Sequence, residues 1–158
     1  MAENRDALPS VICDLSQAVA RFVARIRISV VVGNRAAAEA PVEEVSDPLV
    51  LDLNGDGVRT TGIENGVGFD ISGDGRTKRV SFVTGDDALL AMDRNGNGTV
   101  DDGRELFGDQ NGAANGFEEL ARYDDNRDNQ IDRRDGIYDR LRIYQDRNGD
   151  GVSQAAEL

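Results

Sequence analysis

The sequence predicts a small α+β domain, β-rich in its first half, with loop–helix units in its second half and an N-terminal helix in front. Three observations predict it. Short apolar runs with strand character cluster between Asp47 and Val83. Between Asp102 and Leu158, apolar residues at helical spacing flank acidic loops. Ahead of both, Ile12, Leu15, Val19, Phe22 and Ile26 repeat at the three–four spacing of one helix face. The chain therefore divides into an amphipathic helix over 1–33, a linker over 34–46 and a folded module over 47–158.

Each element follows from its residues. Ser10 is a good N-cap for the first helix, although its end, Arg25–Val32, also alternates as a strand would. The seam either packs on its own domain or serves self-association through residues 10–32, or a membrane surface. No basic segment precedes the apolar run and polar residues interrupt it, which argues against a cleavable signal peptide. Asn34–Ser46 is rich in Ala and Glu, as linkers are. Leu49–Leu51 reads as a strand. Gly66–Ile71 and Lys78–Val83 read as a hairpin around Asp74-Gly75. Asp86–Met92 suits helix or strand. Phe117–Tyr123 reads as a short helix entering a loop, and Arg133–Leu141 as a helix leaving it.

Composition narrows the chemistry. The net charge is −12, without the basic face a nucleic-acid binder needs. There is no His and one Cys, which excludes His-based triads, Cys–His dyads and zinc sites of the usual ligands. What remains abundant is the carboxylate, set in ordered frames with Asn and Gly.

The most complete frame is Asp124–Asp135. Oxygen-bearing residues stand at loop positions 1, 3 and 5 (Asp124, Asn126, Asp128), with Gln130 at 7, Asp132 at 9 and Asp135 at 12. This is the EF-hand calcium pattern, with Asn129 in the glycine slot and Asp in place of the closing Glu. Asp146, Asn148 and Asp150 form a second good copy, with Val152 at 7 and Glu157 at 12. Asp93, Asn95, Asn97 and Thr99 form another, in which Arg104 holds position 12 and Glu105 follows it; a bulge at Gly103 would bring Glu105 inward. Asp52, Asn54 and Asp56 begin a loop with Ile63 at position 12, and Asp70, Ser72 and Asp74 one with Ser81 there. These two are tight turns or half-sites. The starts differ by 18, 23, 31 and 22 residues, too irregular for a solenoid. The expected units are thus EF-hand-like and the expected cofactor is Ca²⁺.

The runs DPLVLDLNGDGVRTT, FDISGDG, DRNGNGTVDDGRELFGD and YQDRNGDGVSQAAEL, in that order, resemble the self-processing module of RTX proteins, the FrpC-like type. The resemblance covers Asp47–Leu158. It implies folding on calcium, autocatalytic cleavage of the Asp47–Pro48 bond, joining of the new Asp end to a lysine amine on another protein, and secretion to the extracellular side of a bacterium. The residues themselves suit that chemistry. An Asp carboxylate can close a five-membered anhydride on its own carbonyl, and Pro has no N–H for the competing succinimide route. A non-catalytic extracellular calcium-binding structural or sensor domain is the alternative, and a general divalent or lanthanide binder a third.

Overall fold

The computed structural model describes residues 28–30 and 44–158. The helical seam from Ile12 to Ile26 lies outside the described residues.

Among the described residues the fold consists of two antiparallel sheets. The first contains β1 (Ile28–Val30), β2 (Glu44–Ser46), β4 (Val67–Phe69) and β5 (Lys78–Val80) in the order β2-β1-β5-β4. The second contains β3 (Val50–Asp52), β6 (Asp87–Met92) and β7 (Leu141–Tyr144) in the order β3-β6-β7. β4 and β5 form a hairpin across the second acidic loop, with Val67 opposite Val80 and Phe69 opposite Lys78.

β6 is the centre of the fold. After Asp87 its residues are Ala-Leu-Leu-Ala-Met, and every position is buried. Alternation sends Leu89 and Ala91 to one side, with Val50, Phe69, Phe82 and Tyr144. It sends Leu90 and Met92 to the other, with Leu49, Leu51, Phe107 and Leu120. With two covered faces and a strand along each edge, β6 is settled as strand rather than helix. Phe82 lies between two rings, tilted against Phe69 at 5.5 Å and edge-on to Tyr144 at 5.6 Å between ring centroids; such pairs add about 0.5–1.5 kcal/mol each beyond their burial.

The expected loop–helix second half is not what forms. The described residues hold one α-helix, α1 (Gly116–Ala121), and three single-turn 3₁₀ segments: Ile63–Asn65, Gly103–Glu105 and Tyr138–Arg140. α1 is capped by Asn115, whose Oδ1 accepts from the N–H groups of Phe117 and Glu118, both at 3.0 Å. The stretch 133–141, expected as a helix, runs instead through successive turns (Asp135 N–H to Asp132 O at 2.9 Å, Tyr138 N–H to Asp135 O at 3.0 Å, Arg140 N–H to Ile137 O at 2.8 Å). Leu141–Tyr144 then pairs with β6, from Met92↔Leu141 to Leu89↔Tyr144. The open edge of a buried strand needs partners for its N–H and C=O groups, and that need outweighs helix propensity here. The fold is thus sheet-dominated throughout. Likewise, Glu44–Ser46, from the stretch read as linker, pairs as a strand with Ile28–Val30, which takes the strand alternative of Arg25–Val32, and Val30 continues onto Val80 of β5.

Candidate functional site

All five acidic loops share one backbone device. The position-1 aspartate turns one oxygen to the N–H at position 6: Asp52 to Gly57 at 2.9 Å, Asp70 to Gly75 at 2.7 Å, Asp93 to Gly98 at 2.8 Å, Asp124 to Asn129 at 2.8 Å and Asp146 to Gly151 at 2.9 Å. The turn requires a left-handed backbone at positions 4 and 6. Glycine provides it in four loops, while the loop from Asp124 forces it on Arg127 (φ 60°) and Asn129 (φ 64°).

Three loops are also closed by an acid. Glu157 accepts from Arg147 N–H at 2.9 Å and Gln154 N–H at 3.1 Å, positions 2 and 9 of its loop. Asp135 does the same for Asp125 at 2.9 Å and Asp132 at 2.8 Å. Glu105 does so for Arg94 at 2.9 Å and Asp101 at 2.8 Å. Glu105 reaches that place because Asp102 caps a 3₁₀ turn that absorbs the extra residue. Gly103 permits it, since a Cβ there would sit 1.8 Å from the Ile71 carbonyl oxygen. All three closing acids are buried: Glu105, Asp135 and Glu157 are 3%, 3% and 6% exposed. The loops from Asp93 and Asp146 are joined at position 8, where Ser153 Oγ accepts from Val100 N–H at 2.6 Å.

Within the loops the side-chain oxygens are held by amides and cations. Asp101 accepts from Asn95, Asn97 and Thr99, and the Asn97 and Thr99 bonds hold its carboxyl below the usual range. Asp150 accepts from the Val152 N–H, which lowers its pKa, and from Gln154 Nε2 and Asn148 Nδ2, both at 2.9 Å. Arg134 spans Asp128 and Asp132 at 2.5 and 2.6 Å and lowers the Asp132 pKa. Lys78 reaches Ser72 at 3.1 Å and Asp74 at 3.3 Å, so the second loop carries its own ammonium. Consistent with these internal partners, no three acidic side chains converge into one cluster among the described residues. Gln130 and Val152 are placed by their N–H groups, which donate to Asp128 and Asp150 at 3.0 and 2.8 Å.

The Asp47–Pro48 bond lies between β2 and β3, with Pro48 buried. One short segment holds it on both sides. Leu49 N–H donates to Phe107 O at 2.7 Å, and Asp47 N–H donates to Asp109 Oδ1 at 3.3 Å. Ser46 Oγ lies 3.4 Å from the same oxygen. Gly108 sits against the bond: a Cβ there would be 3.2 Å from the Asp47 carbonyl oxygen.

The family model of the SPM domain matches residues 49–158. The chain belongs to the SPM-domain family. It is also 44% identical over 122 residues to the iron-regulated protein FrpA of Neisseria meningitidis serogroup C, an alignment covering 72% of this chain and 11% of that protein. The chain thus spans about a ninth of the length of this curated relative.

In this SPM-family chain the third loop, closed by Glu105, and the segment that holds the Asp47–Pro48 bond are physically connected. Arg94, at position 2 of the third loop, donates to Glu119 Oε1 at 2.5 Å and to Tyr123 Oη at 2.8 Å. Glu119 Oε2 accepts from Gly108 N–H at 2.8 Å, and Asn111 Nδ2 also reaches Oε1 at 2.8 Å. Glu119 is 1% exposed. Arg94 and Glu119 therefore run from the third loop to the segment that holds the bond. Sequence reasoning missed Asp109, Glu119 and Asp87. Asp109 and Glu119 carry no loop spacing; only the fold brings them to Gly108 and Asp47. Asp87, whose carboxyl is pushed up by burial and by Asp52 and Asp56 beside it, stands outside every loop frame.

Proposed function

We propose that this SPM domain is a calcium-binding, self-processing module. It folds on Ca²⁺ and then cleaves its own Asp47–Pro48 bond, once per molecule. The observation that carries the calcium reading is the closing acid common to three loops, a buried carboxylate braced by the N–H groups of positions 2 and 9. The donor set is oxygen only, which suits hard Ca²⁺. Bound calcium supplies the counter-charge that lets these acidic loops fold tightly, so its binding energy becomes folding energy.

The chemistry then belongs to the chain. An oxygen of the Asp47 carboxylate bonds to the Asp47 carbonyl carbon and closes a five-membered anhydride. The bond from that carbon to the Pro48 nitrogen breaks, and the nitrogen takes up a proton from solvent and leaves as a secondary amine. Water or a lysine amine of an acceptor protein opens the anhydride. The hydrogen bonds from Leu49 to Phe107 and from Asp47 to Asp109 keep the backbone on both sides of this bond in place, which is how an intramolecular attack gains rate. Export from the cell would bring the module to millimolar calcium, where sites of the weaker extracellular class, about 10⁻⁴–10⁻³ M, are filled.

Two outcomes are expected. Millimolar calcium added to the metal-free chain produces a fragment beginning at Pro48, read by mass spectrometry; calcium-bound, folded protein without that fragment would leave only the binding-domain reading. Glu157→Ala raises the calcium concentration needed for folding by roughly 10–100-fold, as loss of a metal-site residue typically does, read by circular dichroism. An unchanged midpoint would remove the fifth loop from the set of sites.

A further inference from the structure

We infer that ligation by this chain is directed outward: its one lysine, Lys78, is withdrawn as the counter-ion of the second loop, so the amine that opens the Asp47 anhydride belongs to another polypeptide. The inference rests on the self-processing reading above and names the acceptor for it. Every basic residue of the chain other than Lys78 is Arg, and there is no His. A guanidinium stays protonated at ordinary pH and offers no free amine. Acceptor chemistry at a side-chain amine is therefore confined to Lys78.

The fold takes that amine out of reach. Lys78 opens β5 directly opposite Phe69 of β4. Opposed residues leave the same face of a sheet, and Phe69 is buried in the core. The aliphatic stem of Lys78 therefore starts out on the core side, and its charged tip turns back to the loop, as long cationic side chains can. Nζ donates to Ser72 Oγ at 3.1 Å and to Asp74 Oδ2 at 3.3 Å, and the side chain is only 13% exposed. Counted from Asp70, those partners are positions 3 and 5 of the loop and Lys78 is position 9. The three acid-closed loops carry Asp101, Asp132 and Gln154 at position 9, whereas the second loop has an ammonium there and Ser81 at position 12. The ammonium supplies the positive charge that Asp70 and Asp74 lack elsewhere in the loop. In that state it has three donors and no lone pair. To attack a carbonyl, Lys78 would have to lose a proton, break both bonds and leave the loop's carboxylates without their cation. A solvated amine on another protein meets none of these obstacles. Its neutral nitrogen bonds to an anhydride carbonyl carbon, the ring C–O bond breaks, the freed oxygen stays on Asp47 as a carboxylate, and the amine proton goes to solvent. The adduct is the acceptor joined to fragment 1–47 with loss of one water.

Peptide mapping of the full chain after incubation in millimolar calcium, alone and with added Nα-acetyllysine, decides the matter. Alone, the parent should give fragments 1–47 and 48–158 with Lys78 unmodified. With Nα-acetyllysine present, part of fragment 1–47 should carry it at Asp47. Arg76→Lys places a lysine at an exposed position of the same hairpin, and this variant alone should gain a branched product with fragment 1–47 at position 76. Fragment 1–47 joined to Lys78 in the parent overturns the inference. So does an Arg76→Lys chain without the branch under conditions in which Nα-acetyllysine is captured, because exposure would then not be what selects the acceptor. Release of fragment 1–47 with no Nα-acetyllysine captured overturns outward ligation and leaves cleavage intact. Withdrawal of the amine is also read without cleavage: N-hydroxysuccinimidyl acetate on the calcium-loaded chain should spare Lys78 and modify position 76 of Arg76→Lys. Equal acetylation of the two positions overturns the inference and leaves the function reading standing. A chain that releases no fragment beginning at Pro48 overturns the function reading, and the ligation falls with it.

Discussion

Asp47→Asn is expected to abolish the fragment beginning at Pro48, while calcium-induced folding stays as in the parent. The substitution replaces a carboxylate oxygen by an amide of nearly the same shape, so the backbone bonds from Asp47 N–H to Asp109 and from Leu49 N–H to Phe107 persist. What disappears is the nucleophile. Well-oriented intramolecular attack can supply roughly 7–11 kcal/mol of the barrier, and an amide cannot deliver that through a neutral side chain. A fall of roughly 100-fold or more in the cleavage rate follows, read as the fraction of Pro48-terminated fragment against time. If Asp47→Asn releases that fragment at the parental rate, the anhydride route is wrong and the bond breaks by another attack.

Glu119→Ala is expected to be the most destabilising single truncation in the domain. The Glu119 side chain is 2% exposed and holds three donors: Arg94, Asn111 and the Gly108 N–H. Its removal leaves a guanidinium that is only 24% exposed without its carboxylate partner, together with a buried N–H without its acceptor. Breaking a buried pair in this way costs about 3–5 kcal/mol, against a typical total of about 5–15 kcal/mol. Glu119→Gln keeps an acceptor and should cost less, about 1–3 kcal/mol. Urea unfolding in saturating calcium separates the two. Because Gly108 lies between Phe107 and Asp109, Glu119→Gln should also slow cleavage while the domain remains folded. A loss below about 1 kcal/mol for Glu119→Ala would show that the network is not what joins the third loop to the Asp47–Pro48 segment.

The turn chemistry of this protein was legible because it is local. Asp at position 1, Gly at 4 and 6, and an oxygen side chain at 3 and 5 fix a backbone path within six residues in four loops, and the loop from Asp124 takes the same path with Arg127 and Asn129 in the glycine places. The closing carboxylates of the fourth and fifth loops stand at the spacing the motif gives. Glu105 stands one residue late, and its place depends on Gly103 lying under the Ile71 carbonyl, a contact between segments far apart in the chain. The helix expected over 133–141 was misread for the same kind of reason. Phe117–Tyr123 contains a helix because Asn115 caps it locally; 133–141 does not become one, because β6 offers its second edge to Leu141–Tyr144.

Residues alone therefore determined the loop turns, the exclusion of His-based triads and Cys–His dyads, and the place of the Asp47–Pro48 pair on which the proposed cleavage rests. These depend on side-chain type and on spacings of a few residues. The tertiary structure decided which distant carboxylates stand beside them: Asp87 opposite Asp52 across a strand pair, Asp109 on the Asp47 amide, and Glu119 between Arg94 and Gly108. Such neighbours are set by sheet register and by the packing of both faces of β6, and nothing in the local spacing of a chain encodes which strand will lie against which.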